Sequence, residues 1–270
     1  MKILVTGATG NVGRLVVDEL LARGATDVRA LTKDPVRAAL PAQVEVVVGP
    51  QATPAAFAGV ERMYLAPYPP TAVEVCRMAA DAGVRHIVDM AGEKGGHWQV
   101  IENAVEASGA RWTHLEPGEF MTNAGVWAEQ IKAGDVVRDT LGDVVNAPIA
   151  PEDVVAVAAK ILLEGGHHGR SYPMTGPEAL RRRDKVAAIA AALGRDLIYE
   201  DLPRDAAIKR LSLVMGEYAT WYVDGLETLA AQPQAANTTV ADLLGRPAMT
   251  MAEWARRHAD EFRAAENTGR

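Results

Sequence analysis

Met1-Lys-Ile-Leu-Val-Thr-Gly-Ala-Thr-Gly-Asn-Val-Gly13 is the stretch that decides the fold. Ile3, Leu4 and Val5 form a short apolar run of the kind that makes a buried parallel strand. Gly7, Gly10 and Gly13 follow at G-x-x-G-x-x-G spacing, and an amphipathic stretch carrying Leu15, Val16, Leu20 and Leu21 begins at once. Strand, glycine turn and helix in this order are what give a glycine pattern meaning as a dinucleotide site. Gly7 allows the tight turn, Gly10 lets the backbone approach a pyrophosphate, and Gly13 lets the helix pack close to the strand. Unpaired N–H groups at the helix start, at the positive end of its dipole, face the phosphates. Thr9, Asn11 and Val12 belong to the same expected cradle.

Outward from this turn, strand-like and helix-like runs alternate. Strands are predicted at residues 28–32, 44–48, 62–66, 84–90 and 111–115, with helices at 35–40, 71–82 and 98–108 between them. Gly83 and Gly109 stand where helices should stop. Such alternation means right-handed βαβ crossovers on a parallel sheet. The expected fold is therefore α/β, a Rossmann-type doubly wound parallel sheet. After Pro117-Gly118 the rhythm changes. A helix is predicted over 123–133, short strands at 136–138 and 144–147, and a helix over 154–163 announced by Pro151-Glu152-Asp153. A strand at 171–175, a helix at 182–193, a strand at 197–200 and helices around 206–230, 240–244 and 251–265 complete the reading. The expected organisation is a nucleotide domain over 1–130 and a smaller mixed α/β substrate lobe over 131–270, some of whose strands return to the first domain. That lobe is expected against the carboxyl ends of the strands, where open α/β sheets bind ligands.

The 270 residues are 49% hydrophobic and 23% charged, with a net charge of −7, an ordinary balance for a globular protein. The one basic cluster, Arg181-Arg182-Arg183, runs straight into Asp184 and reads as a solvated loop or helix start. Nucleic-acid or membrane binding is not expected. Cys76 is the single cysteine, which excludes an internal disulfide and fits a reducing compartment. It falls inside a helical apolar run and reads as a packed thiol. With no basic and apolar leader and no stretch of about 18 apolar residues, a cytoplasmic location is expected. No metal site is expected: His167-His168 sits between glycines without a carboxylate pattern.

The second strand ends Ala30-Leu31-Thr32-Lys33-Asp34. An acid at such a strand end binds the ribose 2′-OH of NAD, whereas a basic residue suits the 2′-phosphate of NADP. Thr32 and Lys33 stand where the acid would be, so NADP(H) is favoured over NAD(H), by charge-assisted bonds to the phosphate. Ala66 and Pro67 after the fourth strand, and Met90 and Ala91 after the fifth, are assigned to the cofactor as well.

Thr6-Gly-Ala-Thr-Gly-Asn-Val-Gly13 resembles the fingerprint of extended and atypical short-chain dehydrogenase/reductases. Gly83-Val-Arg-His-Ile-Val88, the segment Ser108–Asn123, Pro148-Ile-Ala-Pro-Glu-Asp153 and Tyr172-Pro-Met-Thr-Gly-Pro177 resemble the NmrA-like group, in order from Met1 to about Phe262. The resemblance implies an NADP(H)-dependent oxidoreductase or an NADP-binding regulatory protein. One departure matters most. The superfamily's Tyr-x-x-x-Lys pair, in which lysine lowers the tyrosine pKa, has no counterpart here: none of Tyr64, Tyr68, Tyr172, Tyr199, Tyr218 and Tyr222 has lysine four residues on. Where many relatives carry arginine before Pro-Gly, this chain has Glu116.

Without that pair the expected acceptor is a quinone or similarly activated small molecule, planar or aromatic. Its reduced anion is weakly basic and needs no strong positioned acid. The chain then has mainly to hold nicotinamide and acceptor together and exclude water. Tyr68, Trp98, Phe120 and Trp127 are candidates to stack on the acceptor, with Glu119 and Asn123 beside them, and His97 is the candidate proton donor. The competing reading of Phe120 and Trp127 is core packing, and that of His97 a helix start. Two other functions stay open at this level: a non-catalytic NADP sensor, and a biosynthetic reductase, dehydratase or cyclase acting on an aromatic intermediate. Homodimerisation also stays open.

Overall fold

Short β-branched runs closed by glycine or proline produce the strands, and the amphipathic segments between them produce the helices. The computed structural model describes residues 1–92, 95–96 and 98–264, with the backbone alone for Arg37. In chain order the elements are β1 (Ile3–Val5), α1 (Asn11–Ala22), β2 (Val28–Thr32), α2 (Pro35–Ala38), β3 (Glu45–Val48), β4 (Arg62–Leu65), α3 (Ala72–Asp81), β5 (His86–Met90), α4 (Gln99–Ala107) and β6 (Arg111–Pro117). There follow α5 (Ala128–Ala133), β7 (Val136–Asp139), β8 (Val145–Asn146), α6 (Pro151–Glu164), β9 (Arg170–Met174), β10 (Leu180–Arg181) and α7 (Arg182–Leu193). The chain continues with β11 (Ile198–Asp201), α8 (Arg204–Met215), α9 (Tyr218–Ala231), α10 (Thr239–Leu244) and α11 (Met251–Arg257).

Two compact units emerge. The first comprises Met1–Gly118, Pro151–Met174 and Thr239–Arg246; the second comprises Glu119–Ala150, Thr175–Thr238 and the chain from Pro247 onward. Unit 1 is built on a seven-stranded sheet in the order β3-β2-β1-β4-β5-β6-β9. Every neighbouring pair is parallel, and Ile3 is in register with Val28 on one side and Arg62 on the other. This is the Rossmann-type α/β fold that the opening residues predict. The order reverses between β1 and β4, so the crevice beyond their carboxyl ends is the switch point where such sheets bind ligands. On one face α1 and α6 cover the sheet. On the other, α3 and α4 enclose a core of Leu4, Phe57, Met63, Ile87, Ile101 and Val105. Fully burying each such side chain is worth about 1.5–3 kcal/mol.

Unit 2 has no large sheet among its described residues. β7 pairs with β11 in parallel, and β8 with β10 antiparallel. The core there is Trp127, Ile131, Val186, Ile189, Trp254 and Phe262. Two helix expectations are corrected in this unit. Over 123–133 the chain forms a 3-10 segment, Met121–Trp127, before the short α5. The Met121 N–H donates to the Ile149 carbonyl and the Asn123 N–H to the Phe120 carbonyl, so tertiary pairing fixes a tighter winding. The helix read through 206–230 is divided by Gly216 at φ 59°, ψ −133°, a conformation that an L-residue rarely adopts.

Candidate functional site

Thr6, wholly buried after β1, ties the two strands that flank the switch point. Its N–H donates to the Tyr64 carbonyl at 3.1 Å, and its hydroxyl accepts from the Ala66 N–H at 2.8 Å. Gly7 then turns the chain at φ 60°, with no room for a side chain: a Cβ would stand 2.7 Å from that of Ala66. A Cβ on Gly13 would lie 2.2 Å from the Gly7 carbonyl oxygen, so α1 rests directly on the loop. Gly10 is different. Its Cβ would meet only the Gly7 oxygen, at 3.3 Å, so packing makes the weaker demand there and the lack of a side chain leaves the backbone open to a ligand.

Gly10 is the N-cap of α1; it makes no side-chain cap, and no acid occupies the first turn. The amides of Asn11, Val12 and Gly13 precede the first intrahelical donor, Arg14, whose N–H reaches the Gly10 carbonyl. Three forward-facing amides at the positive end of a helix form an anion cradle. The residues present therefore fit a dinucleotide.

At the end of β2, Thr32 is buried. Its hydroxyl accepts from the Asp34 N–H at 3.1 Å and stands 3.3 Å from the Thr9 hydroxyl, linking this strand end to the glycine loop. Lys33 is exposed, its Nζ 5.9 Å from the Tyr68 ring centroid. At the neighbouring strand ends the Gln51 side chain donates to the Ala66 carbonyl at 3.4 Å, and the Ala91 N–H to the Leu115 carbonyl at 3.0 Å. The carboxyl edge of the sheet thus brings together Gly7, Gly10, Thr32, Ala66, Pro67, Met90 and Ala91.

The model of an NAD(P)H-binding family matches residues 7–95. The chain is 38% identical to a (4-alkanoyl-5-oxo-2,5-dihydrofuran-3-yl)methyl phosphate reductase of Streptomyces griseus, over 96% of this chain and 99% of that one. It is 34% identical to an NAD(P)H azoreductase of Xenophilus azovorans, over 97% of this chain and 100% of that one. The chain belongs to the NmrA-like atypical short-chain dehydrogenase/reductases, a family of NAD(P)H-dependent reductases. An NADPH-dependent quinone oxidoreductase from Escherichia coli, solved with NADPH, shares the fold at a TM-score of 0.84 and 24% identity, over 94% of this chain and 99% of that one.

In this NmrA-like chain the remaining candidates separate by unit. Tyr68 is exposed. Trp98 is half-buried, packed against the core beneath α3 and α4, and a Cβ on Gly92 would come within 2.6 Å of its ring. His97 lies outside the described residues. In unit 2, Asn123 is exposed and Phe120 is half-buried, bridged to Ile149. Trp127 is a core residue: it is buried, and its Nε1–H donates to Asp139 at 2.7 Å. Glu119 accepts from the Lys185 Nζ at 2.5 Å, from Asn146 at 2.7 Å and from the Tyr222 hydroxyl at 3.1 Å. Burial alone would raise the Glu119 pKa, but the charges of Lys185 and Arg182 and these hydrogen bonds outweigh it and pull it to about 2.

Arg182 corrects the reading of the triple-arginine cluster as solvated. It is buried, bonded to Asp139, and its guanidinium lies 5.3 Å from the Trp127 ring and 5.6 Å from that of Tyr222. Tyr222, Glu119 and Lys185 assemble a tyrosine and a lysine around one carboxylate, yet not an activated acid. Burial and the Glu119 charge hold the Tyr222 pKa above the ordinary phenol value despite Arg182. Cys76 is buried, and burial, with the charge of Asp89, pushes its thiol up to about 12, as suits a packed residue.

Proposed function

We propose that this chain is an NADP(H)-dependent oxidoreductase that reduces a quinone or a similarly activated, conjugated small molecule. The observation that carries the reading is the glycine cradle opening on the carboxyl edge of the sheet, with Lys33, one residue ahead of Asp34, exposed directly after β2. When bound, the reduced nicotinamide supplies a hydride. The chain's own part is to bind, orient and exclude water. The amides of Asn11, Val12 and Gly13 hold the pyrophosphate, and the Lys33 ammonium holds the ribose 2′-phosphate. Trp98, half-buried beside Gly92, offers aromatic surface to a planar acceptor, whereas Tyr68, beside Lys33, stands at the adenosine end.

Relatives at 34–38% identity support the acceptor class. One is named for azo reduction, the other for a furan ring whose double bond adjoins an alkanoyl and an oxo group. Both describe electron-poor unsaturation, which suits a chain without the Tyr-x-x-x-Lys pair. A saturated ketone would leave a strongly basic alkoxide that demands a positioned acid. The test follows loss of reduced-nicotinamide absorbance against benzoquinones, naphthoquinones and an azo dye, with saturated ketones as controls. Turnover with the conjugated acceptors and none with the ketones is expected. Tight NADPH binding without turnover on any acceptor would make the chain a nucleotide sensor instead.

A further inference from the structure

Between α4 and the strands β5 and β6, unit 1 buries charge that no hydrophobic core requires. Asp89, His114, Glu102 and Glu116 are each less than 6% exposed. The His114 Nδ1 lies 2.6 Å from Asp89 Oδ1, its Nε2 lies 3.4 Å from Glu106 Oε1, and the Trp112 ring stacks on it at 4.1 Å. Glu106 is half-exposed and meets solvent. Glu102, one helical turn before Glu106, accepts from Gln99 at 2.7 Å through one oxygen. Glu116 projects from the same face of β6 as His114, two residues on, at the level where Ala91 bonds to Leu115. The groups therefore form a strip from the surface at the end of α4 to the carboxyl edge of the sheet.

Three oxygens in the strip, Asp89 Oδ2, Glu102 Oε1 and Glu116 Oε1, are buried with no hydrogen-bond partner among the described residues. A buried carboxyl oxygen without a donor is costly unless the group carries its own proton or a water bridges it. Either arrangement places a labile proton at that oxygen. Asp89 and Glu102 face one imidazole here and both feel the charge of Glu116, so the two cannot hold charge cheaply together. Among the described residues, Tyr64 on β4 and Cys76 on α3 also feel the charge of Asp89, and burial holds both neutral.

We propose that Glu106, His114, Asp89, Glu102 and Glu116 form a proton relay that connects solvent to the carboxyl edge of the sheet and serves the reduction assigned above. The inference rests on that functional reading. Conversion of an acceptor carbonyl to a hydroxyl takes up two electrons and two hydrogens, one arriving with the electron pair as hydride and the other as a proton from the medium. Glu106 takes that proton from water. His114 accepts it at Nε2 and releases the one on Nδ1 to Asp89, and Glu102 and Glu116 carry it to the edge. Each transfer makes one O–H or N–H bond as it breaks another; a passage leaves the imidazole protonated at Nε2 in place of Nδ1, and tautomer exchange with water restores the Nδ1–H ring before the next turnover. Burial alone would lower the His114 pKa, but its bond to Asp89 and the charges of Asp89 and Glu102 outweigh this and raise it. Burial likewise raises Asp89 and Glu102, His114 opposing it only in part.

The test compares kcat in H2O and D2O for wild type, Glu106→Gln and His114→Gln, with a benzoquinone as acceptor. Ring-nitrogen NMR titration of His114 in the nucleotide-free protein gives a readout that does not depend on activity. Glu106→Gln, on an exposed helix surface, is expected to lower kcat about threefold and enlarge the solvent isotope effect, with Glu106→Asp restoring both. His114→Gln is expected to lower kcat about tenfold or more while the NADPH Kd stays unchanged. If His114→Gln does not fold, Glu106→Gln carries the comparison. In the titration His114 should hold its proton above the ordinary histidine pKa, and lose it at lower pH in Asp89→Asn and Glu106→Gln. Wild-type kcat and isotope effect in both relay variants would overturn the relay and leave the function standing. A wild type inactive on every acceptor would overturn the functional reading. The relay is then decided by the titration, and a His114 neutral down to about pH 5 and indifferent to Glu106→Gln would overturn it.

Discussion

Lys33 is a single ammonium on an exposed stem, and the choice between two nucleotides turns on it. Thr32 beside it is buried and its hydroxyl already accepts from the Asp34 amide, so the positive charge at this strand end comes from Lys33. A hydrogen bond to a charged group is worth about 1.5–3 kcal/mol, or about tenfold or more in affinity. Lys33→Ala is therefore expected to weaken NADPH about tenfold in a fluorescence titration and to leave NADH nearly unchanged. Equal loss for both nucleotides would mean that Lys33 does not read the 2′-phosphate. This residue was legible in the sequence because strand, strand end and basic residue are local. Arg182, Lys185 and Glu119 were not. Lys185 finds Glu119 66 positions away and Tyr222 finds it 103 away, so no window of sequence holds the network. The strip between α4 and β6 did leave a signal. His114 and Glu116 alternate along a strand that should be apolar on both faces.

At the scale of elements, the glycine loop and α1 act as one part with two separable demands. Gly13 is held by packing: its Cβ would collide with backbone, the Gly7 oxygen at 2.2 Å and carbon at 2.8 Å, and backbone cannot rotate away. Gly13→Ala is expected to lower stability by about 2–3 kcal/mol, as overpacking does, and to abolish tight nucleotide binding together with it. Gly10 is held by the ligand. Gly10→Ala is expected to leave the Tm within about 2 °C while weakening NADPH at least about tenfold. Thermal melts with and without NADPH, alongside titrations, separate the two, and an equal loss of stability in both variants would refute the distinction. The strands of this sheet were legible because short runs bounded by turn residues carry their own boundaries: β2, after Gly24 and before Asp34-Pro35, falls at Val28–Thr32 as expected. The 3-10 segment Met121–Trp127 was not, since its winding is fixed by pairing of Phe120 and Met121 with Ile149. The break at Gly216 was available in the sequence as an isolated glycine inside a helical pattern.

At the scale of the whole molecule, buried ionisable groups shape stability on both sides of neutrality, with opposite signs. His86 is buried, and its Nε2 lies 2.9 Å from the Thr113 hydroxyl, which itself donates to the His167 carbonyl. That hydroxyl can only accept from the ring, so Nε2 carries a proton. Burial, with the nearby Arg62, pulls its pKa from 6.5 to about 4. A depressed folded pKa means that the unfolded chain binds the proton first. The His86 contribution is thus complete above about pH 6.5 and lost as pH falls towards 4, a change of order 2 kcal/mol after solvent screening, or about 5 °C in Tm. Glu119 acts in the same direction further down, since its stabilisation is present above the ordinary carboxylate pKa and lost as pH approaches 2. Asp89, Glu102 and His114 act the other way. Their folded pKa values are raised, so their contribution is present at low pH and is lost as pH rises through those values. A Tm profile with a maximum near neutrality and a fall on each side is expected. His86→Gln, which keeps a donor without a titrating ring, should flatten the limb between about pH 6.5 and 4, and Asp89→Asn, which removes the partner that raises His114, should flatten the limb above about pH 6.5. An acid limb unchanged in His86→Gln would assign the acid sensitivity to the carboxylates, and a limb above about pH 6.5 unchanged in Asp89→Asn would mean that Asp89 does not hold the His114 proton in the folded state.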